Sequence, residues 1–366
     1  MVIEQIHYAT TQKYNFLRDL GDLDLSERFV ELSLTSMSEI RDECFQPWID
    51  IESENIEKIE EQENIIEVNG DLQFLSVVSL RPIPDGTPVI AIDASCIKVG
   101  ETKSGIICAV RSAVVWNECG KYRCLRIGPF PFHITRENRK RILDFIGQFS
   151  PIIFGSNATF LIEVQSQLCN AMERWVQMAV SRSASNSIIL FDGSLSTRIS
   201  SSNANFLEDI LRGARSNSNA VISFSKISTI KFLGKRITEL IARQREPCLL
   251  EISENMLSLS SRAMRLLGKI YVGKLCGRGY AFRIDIDRAL PREMQIISLQ
   301  RVLGNDLVFQ GYPETLRLAH IFSTFTASDI IGIQRFLTKK YGLKIVNWPN
   351  FRRVLFGPFG TGGAGD

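Results

Sequence analysis

The sequence predicts an α/β fold with a mixed sheet, and three observations predict it. Three extended segments follow one another between Pro88 and Gly128, a long helical segment comes next, and helix and strand then alternate. The extended segments are TPVIAIDAS, SGIICAVRSAVVWNE and KYRCLRIGPF, with Glu118, Cys119, Gly120 and Lys121 as a turn between the last two. They read as three consecutive antiparallel strands.

A helix is expected from about Ala158 to Ser181, then the strand SIILFD, a Ser/Asn-rich loop from Ser196 to Asn205, a helix near Phe206 to Arg215, and the strand NAVISFS. A three-stranded meander followed by alternating helix and strand is the order of a ribonuclease H-like core. A helix is expected near Gly234 to Arg245. Two strands follow, GKIYVGKL and YAFRIDI, with Gly273, Gly277 and Gly279 supplying turns. In FQGYPETLRLAHIFSTF, Pro313 suits a first helical turn and Glu314 sits favourably at a helix N-terminus.

Ahead of the core, Thr10 to about Ile66 reads as helical and charged, with Ser26 able to cap SERFVELSLTSMSEI. The expected division is a partly acidic helical region over 1–85, a core with C-terminal helices over 86–345, and a tail over 346–366. Its final FGPFGTGGAGD is expected to be flexible.

Composition sets bounds on function. With 366 residues, 45% hydrophobic and 23% charged, the chain can bury a sizeable core. Its 43 basic and 40 acidic residues leave +3, which neither demands nor excludes a polyanionic partner. Charge is distributed unevenly: Glu52, Glu54, Glu57, Glu60, Glu61, Glu63 and Glu67 face Lys58 alone, whereas Arg111 to Arg141 is rich in Arg and Lys. No apolar run approaches the roughly 18 residues of a membrane span, and Met1 opens no secretory leader, so a cytoplasmic protein is expected. Eight scattered cysteines without a CxxC pair argue against zinc or a disulfide framework. The absence of a GxxxxGK[ST] loop argues against a chain that powers its own movement by nucleotide hydrolysis.

The chemistry points to two strand ends. VIAIDAS and IILFDGSL each close an apolar run on an aspartate, Asp93 and Asp192. A carboxylate there is costly to desolvate unless a cation or donors receive it, and two such ends suggest a shared metal. The long helix offers Glu163, in a polar row that reads as solvated, and Glu173, among Ile162, Ser166, Cys169, Val176 and Val180, on a face that can approach the sheet. Glu173 is the third carboxylate chosen. His320, in a late helix after a GYP turn, is the fourth candidate. Carboxylates with one imidazole suit Mn²⁺ or Mg²⁺, with the nitrogen favouring Mn²⁺, and such ions can hydrolyse phosphodiesters. Each residue alone has an ordinary structural reading, a turn cap, an ion pair or a packed histidine; the constellation carries the inference. Arg136, Arg139, Lys140 and Arg141, beside Phe130 and Phe132, form a candidate nucleic-acid contact whose alternative is a solvated helix face.

These residues resemble the NurA nucleases, which accompany the HerA hexameric translocase in DNA end processing. The resemblance rests on IDAS at Asp93, Glu173 lying 19 residues before Asp192 in LFDGSL, SFSKIS at Lys226, and QGYPETLRLAH ending at His320, and spans roughly Val89 to Thr324. It implies a ribonuclease H-like core related to the Piwi domain, and a Mn²⁺-dependent nuclease, exonuclease or endonuclease, acting as a homodimer on single- and double-stranded DNA ends. It also implies that Asp93, Glu173, Asp192 and His320 hold the metal and that Tyr312 orients the phosphate or a metal-bound water. Lys226 would offset charge on the scissile phosphate. Two alternatives stand beside this reading: a structure-specific ribonuclease on the same core, and a non-catalytic DNA-end clamp or adaptor for the translocase.

Overall fold

A computed structural model describes residues 25–40, 44–47, 66–68, 76–147, 160–198, 204–226, 230–232, 234–242, 244, 246–252, 257–259 and 264–346. Its centre is an eleven-stranded mixed sheet. The strands are β1 (Cys44–Pro47), β2 (Ser76–Ser79), β3 (Val89–Thr102), β4 (Gly105–Glu118), β5 (Lys121–Thr135), β6 (Ile188–Asp192), β7 (Ala220–Ser225), β8 (Cys248–Glu251), β9 (Gly268–Lys274), β10 (Ala281–Asp287) and β11 (Lys344–Ile345). Seven helices accompany it among the described residues: α1 (Leu25–Ser38), α2 (Arg139–Ile146), α3 (Phe160–Ser183), α4 (Ala204–Ser216), α5 (Arg292–Asn305), α6 (Glu314–Ser323) and α7 (Ala327–Tyr341).

The meander is as expected. Strands β3, β4 and β5 pair antiparallel in order, and the β4–β5 turn places Cys119 (φ 53°) and Gly120 (φ 77°) in the left-handed region that a two-residue hairpin needs. Strand β6 then pairs parallel to β3, and β7 parallel to β6. The order β5-β4-β3-β6-β7 is that of a ribonuclease H-like core. The sheet continues through β10, β9, β8 and β2 on one side. On the other, β1 joins the far end of β3, where Gly100 permits the approach: an added Cβ would stand 2.2 Å from the Phe45 ring.

Period-two alternation divides β3 between two layers. Ile90, Ile92 and Ala94 pack with Phe29 of α1, Leu143 of α2, Met172 and Trp175 of α3, and Leu207 of α4. Val89 and Ala91 face the other way, toward Leu299 and Val302 of α5 and Leu316 and Ala319 of α6. The sheet is therefore covered on both faces. No described helix is long and apolar enough to cross a membrane.

Several sequence expectations need correction. The helix expected from Gly234 to Arg245 is instead a short hairpin, Lys231–Phe232 with Lys235–Arg236, and a single 3₁₀ turn at Ile237–Leu240. Ile237 and Ile241 are buried against β8 and β9, so tertiary packing outweighs the weak local helical pattern. Within the N-terminal region Leu25–Ser38 is helical, but Cys44–Pro47 and Ser76–Ser79 are strands of the main sheet. The tail FGPFGTGGAGD lies outside the described residues.

Candidate metal centre

Register brings the two aspartates together. The β3–β6 ladder pairs Ile92 with Phe191, so Asp93 and Asp192 are the next residues on neighbouring strands. Both carry the parity of Ala91 and Leu190, which face α5 and α6. Strand β6 ends at Asp192, and Gly193 takes φ 97°, a left-handed turn that a glycine adopts without strain. Two bonds hold the turn: Ser225 Oγ donates to the Gly193 carbonyl (2.8 Å), and the Leu195 N–H donates to Asp285 Oδ2 (3.0 Å).

Helix α6 brings the third candidate ligand. Pro313 stands as its N-cap, and His320 falls in its last turn. One ligand atom from each of Asp93, Asp192 and His320 lies within 4.8 Å of the others, the one such group among the described residues. The imidazole Nδ1 is 3.2 Å from Asp93 Oδ2. With the proton on Nδ1 that bond leaves Nε2 as the lone-pair nitrogen. Exposure grades across the set, from 1% for the Asp93 side chain through 13% for Asp192 to 53% for His320. The centre is thus anchored in the sheet and open toward solvent on the helix side. Two carboxylates and an imidazole converging there fit a hard divalent cation.

Lys226, just past the end of β7, pairs with Asp192 (Nζ to Oδ2 2.8 Å), which places a part-exposed cation beside the cluster. The Tyr312 ring packs on Phe224 (6.0 Å between centroids) and Phe282 (5.3 Å), and Phe224 is the ladder partner of Asp192. Tyr312 therefore stands one strand away from the site.

Glu173 is buried on α3 and accepts a bond from Gln177 Nε2 (3.3 Å), outside the three-residue group. Its position along the sheet can be gauged. Gln165 of α3 reaches Cys96 of β3 at 3.6 Å. From that contact Glu173 lies roughly 12 Å along the helix, and Asp93 roughly 10 Å back along the strand. Glu173 and Asp93 thus lie at comparable distances from that contact, with Glu173 in the helical layer of the face opposite α6. Glu163, expected to be solvated, is itself buried (8% exposed), because α3 is covered on most of its circumference by the sheet, α2 and α4.

The basic cluster stands elsewhere. Arg136, Arg139, Lys140 and Arg141 are exposed at the start of α2, in the layer opposite α6, and Arg141 pairs with Glu39 (2.8 Å). Phe130 and Phe132 are buried (3% and 0% exposed) against Phe29, so they offer no stacking surface. Sequence reasoning missed Ser323, whose hydroxyl donates to Asp93 Oδ2 (2.5 Å), and Asp285 beneath the Asp192 turn. The signal for Ser323 was its place three residues after His320, one helical turn along.

Comparison with known proteins agrees with this fold. The chain matches the family model for the NurA domain over residues 87–321. No curated protein sequence matches it. Among solved structures, the NurA nuclease from Sulfolobus solfataricus is similar at 16% identity, covering 75% of this chain and 90% of that one, with a TM-score of 0.50. A second NurA structure gives 10% identity, 76% and 88% coverage and a TM-score of 0.35. An endonuclease V from Bacillus subtilis gives 10%, 72% and 88%, and 0.32. With the domain match spanning well over half of its length, the chain belongs to the NurA family.

Proposed function

We propose that this protein is a metal-dependent nuclease that hydrolyses phosphodiester bonds at DNA ends. The observation that carries the reading is the convergence of Asp93, Asp192 and His320 inside the segment that matches the NurA domain. These three residues would hold Mn²⁺, or Mg²⁺ in its place. The cation supplies Lewis-acid activation of water and charge stabilisation at the leaving oxygen. Glu173 is the residue proposed to complete the carboxylate set. Lys226 would release Asp192 and meet the negative charge that develops on the phosphate, while Tyr312, braced by Phe224 and Phe282 one strand away, would orient the phosphate or a metal-bound water.

Family membership supports the rest of the proposal: a homodimer, fed by a HerA-like hexameric ATPase, working on single- and double-stranded ends in double-strand break repair. The test is to incubate the purified protein with end-labelled single-stranded DNA, double-stranded DNA and RNA of one sequence, with Mn²⁺, Mg²⁺ or EDTA. DNA cleavage that requires a divalent cation is expected. Cleavage of RNA with DNA left intact would replace the substrate. Metal-independent DNA binding without turnover, even with the ATPase present, would favour a DNA-end clamp instead.

A further inference from the structure

We infer that Ser323 is a positioning residue for Asp93, and that a clamp of three neighbouring strands on the end of α6 holds it there. The inference rests on the metal-dependent nuclease reading and names a residue that reading does not use. Ser323 is fully buried, and its Oγ lies 2.5 Å from Asp93 Oδ2 and 3.0 Å from the His320 carbonyl. One side chain thus touches both proposed ligands.

The strands grip α6 at successive carbonyls. Ser95 of β3 donates Oγ–H to the Ser323 carbonyl (2.5 Å), Arg126 of β5 donates Nε–H to the Phe322 carbonyl (3.1 Å), and Arg111 of β4 reaches the Thr324 carbonyl (3.5 Å). These are C-terminal groups that the helix itself leaves without intrahelical partners. Arg111 also pairs with Asp329 through both terminal nitrogens (3.2 and 3.1 Å) and lies 4.4 Å from the Phe325 ring centroid, tying the start of α7 to the same strand. Asp93 is secured from below as well, since Ser112 Oγ donates to its carbonyl (2.8 Å). The sheet thereby fixes where α6 ends, and with it the Ser323 hydroxyl.

The donors on Asp93 differ in kind from those on two other buried carboxylates of the sheet. On the same sheet, the buried Asp285 meets Arg283 through two nitrogens (2.8 and 2.9 Å), and Asp287 meets Arg215 (2.5 Å). Those carboxylates are neutralised by a fixed cation. The Asp93 carboxylate, equally buried, has a hydroxyl and an imidazole among its partners. A neutral donor orients a carboxylate and offsets part of its desolvation while leaving its charge for a divalent ion. Partners of this kind typically set metal affinity by about 10–100-fold.

The test measures Mn²⁺ binding to the full chain without DNA, by electron paramagnetic resonance of free Mn²⁺, for wild type, Ser323→Ala, Ser323→Thr and Arg126→Gln. Ser323→Ala is expected to raise the apparent Kd for Mn²⁺ about 10–100-fold, with circular dichroism and thermal midpoint near wild type. Ser323→Thr should restore binding, and Arg126→Gln should weaken it in the same direction. Cleavage by Ser323→Ala should recover at saturating Mn²⁺, a shift in metal requirement rather than a loss of kcat. A wild type that binds Mn²⁺ and cleaves DNA, with Ser323→Ala binding equally well, would overturn the positioning role and leave the nuclease reading standing. A wild type that binds no Mn²⁺ would overturn both.

Discussion

Lys226 and Asp192 form an ion pair whose two members are both assigned to the reaction, and their contact has a measurable consequence. While the ammonium holds Oδ2 it competes with any cation for the same oxygen. Lys226→Gln is therefore expected to lower the Mn²⁺ concentration for half-maximal cleavage while reducing the rate at saturating metal by about 10²-fold, the scale of losing one donor to developing charge. A metal titration of cleavage rate reads both quantities, and an unchanged saturating rate would remove Lys226 from the chemistry. At this scale the convergence of Asp93, Asp192 and His320 was legible, because strand ends and a turn-initiated helix leave local traces, whereas Lys226 entered through the family resemblance. Glu163, Phe130 and Phe132 were not: whether a residue is solvated depends on what packs over it, and that belongs to α1, α2 and the sheet.

Helix α6 is fixed at its start as firmly as at its end. The buried Asp306, the C-cap of α5, accepts from the Tyr122 hydroxyl (2.6 Å) and from the Thr315 N–H (3.1 Å), so it serves the first turn of α6 from the end of the preceding helix. Burial pushes its carboxyl above the usual aspartate range, against the lowering effect of those hydrogen bonds. A raised folded-state pKa means that the folded protein keeps its proton longer than the unfolded chain. The associated stability is fully present below the unfolded value of about 3.9 and is lost as pH rises through the folded one. Asp306→Asn should flatten that part of the stability profile, and Asp306→Ala should cost about 1–3 kcal/mol at neutral pH. Urea unfolding at several pH values checks both, and a wild-type profile without that fall would contradict the assignment. Elements were legible in proportion to how cleanly they alternate. The meander, α3 and α6 carry strong patterns, but α5 went unremarked because Gln295 and Ser298 face inward with Leu299 and Val302, and Gln295 accepts from the buried Tyr271 hydroxyl. Its polar core residues blur the period.

Across the whole molecule, the order β5-β4-β3-β6-β7 followed from the succession of strands and helices. The extension to eleven strands did not, since β1, β2 and β11 are two to four residues long and find their partners only in three dimensions. That frame explains why one site can draw on residues far apart in sequence: parallel pairing aligns two strand ends, and α6 crosses the same face to add His320 and Ser323. Metal-dependent nuclease activity is the function proposed for this alignment. It is tested most directly by cleavage of an end-labelled DNA duplex over a Mn²⁺ titration, with wild type, Asp192→Asn and Glu173→Gln side by side. The prediction is Mn²⁺-dependent cleavage by wild type, abolished by EDTA and restored by excess metal, no cleavage by folded Asp192→Asn, and a raised metal requirement for Glu173→Gln. Cleavage by Asp192→Asn at the wild-type rate would contradict it.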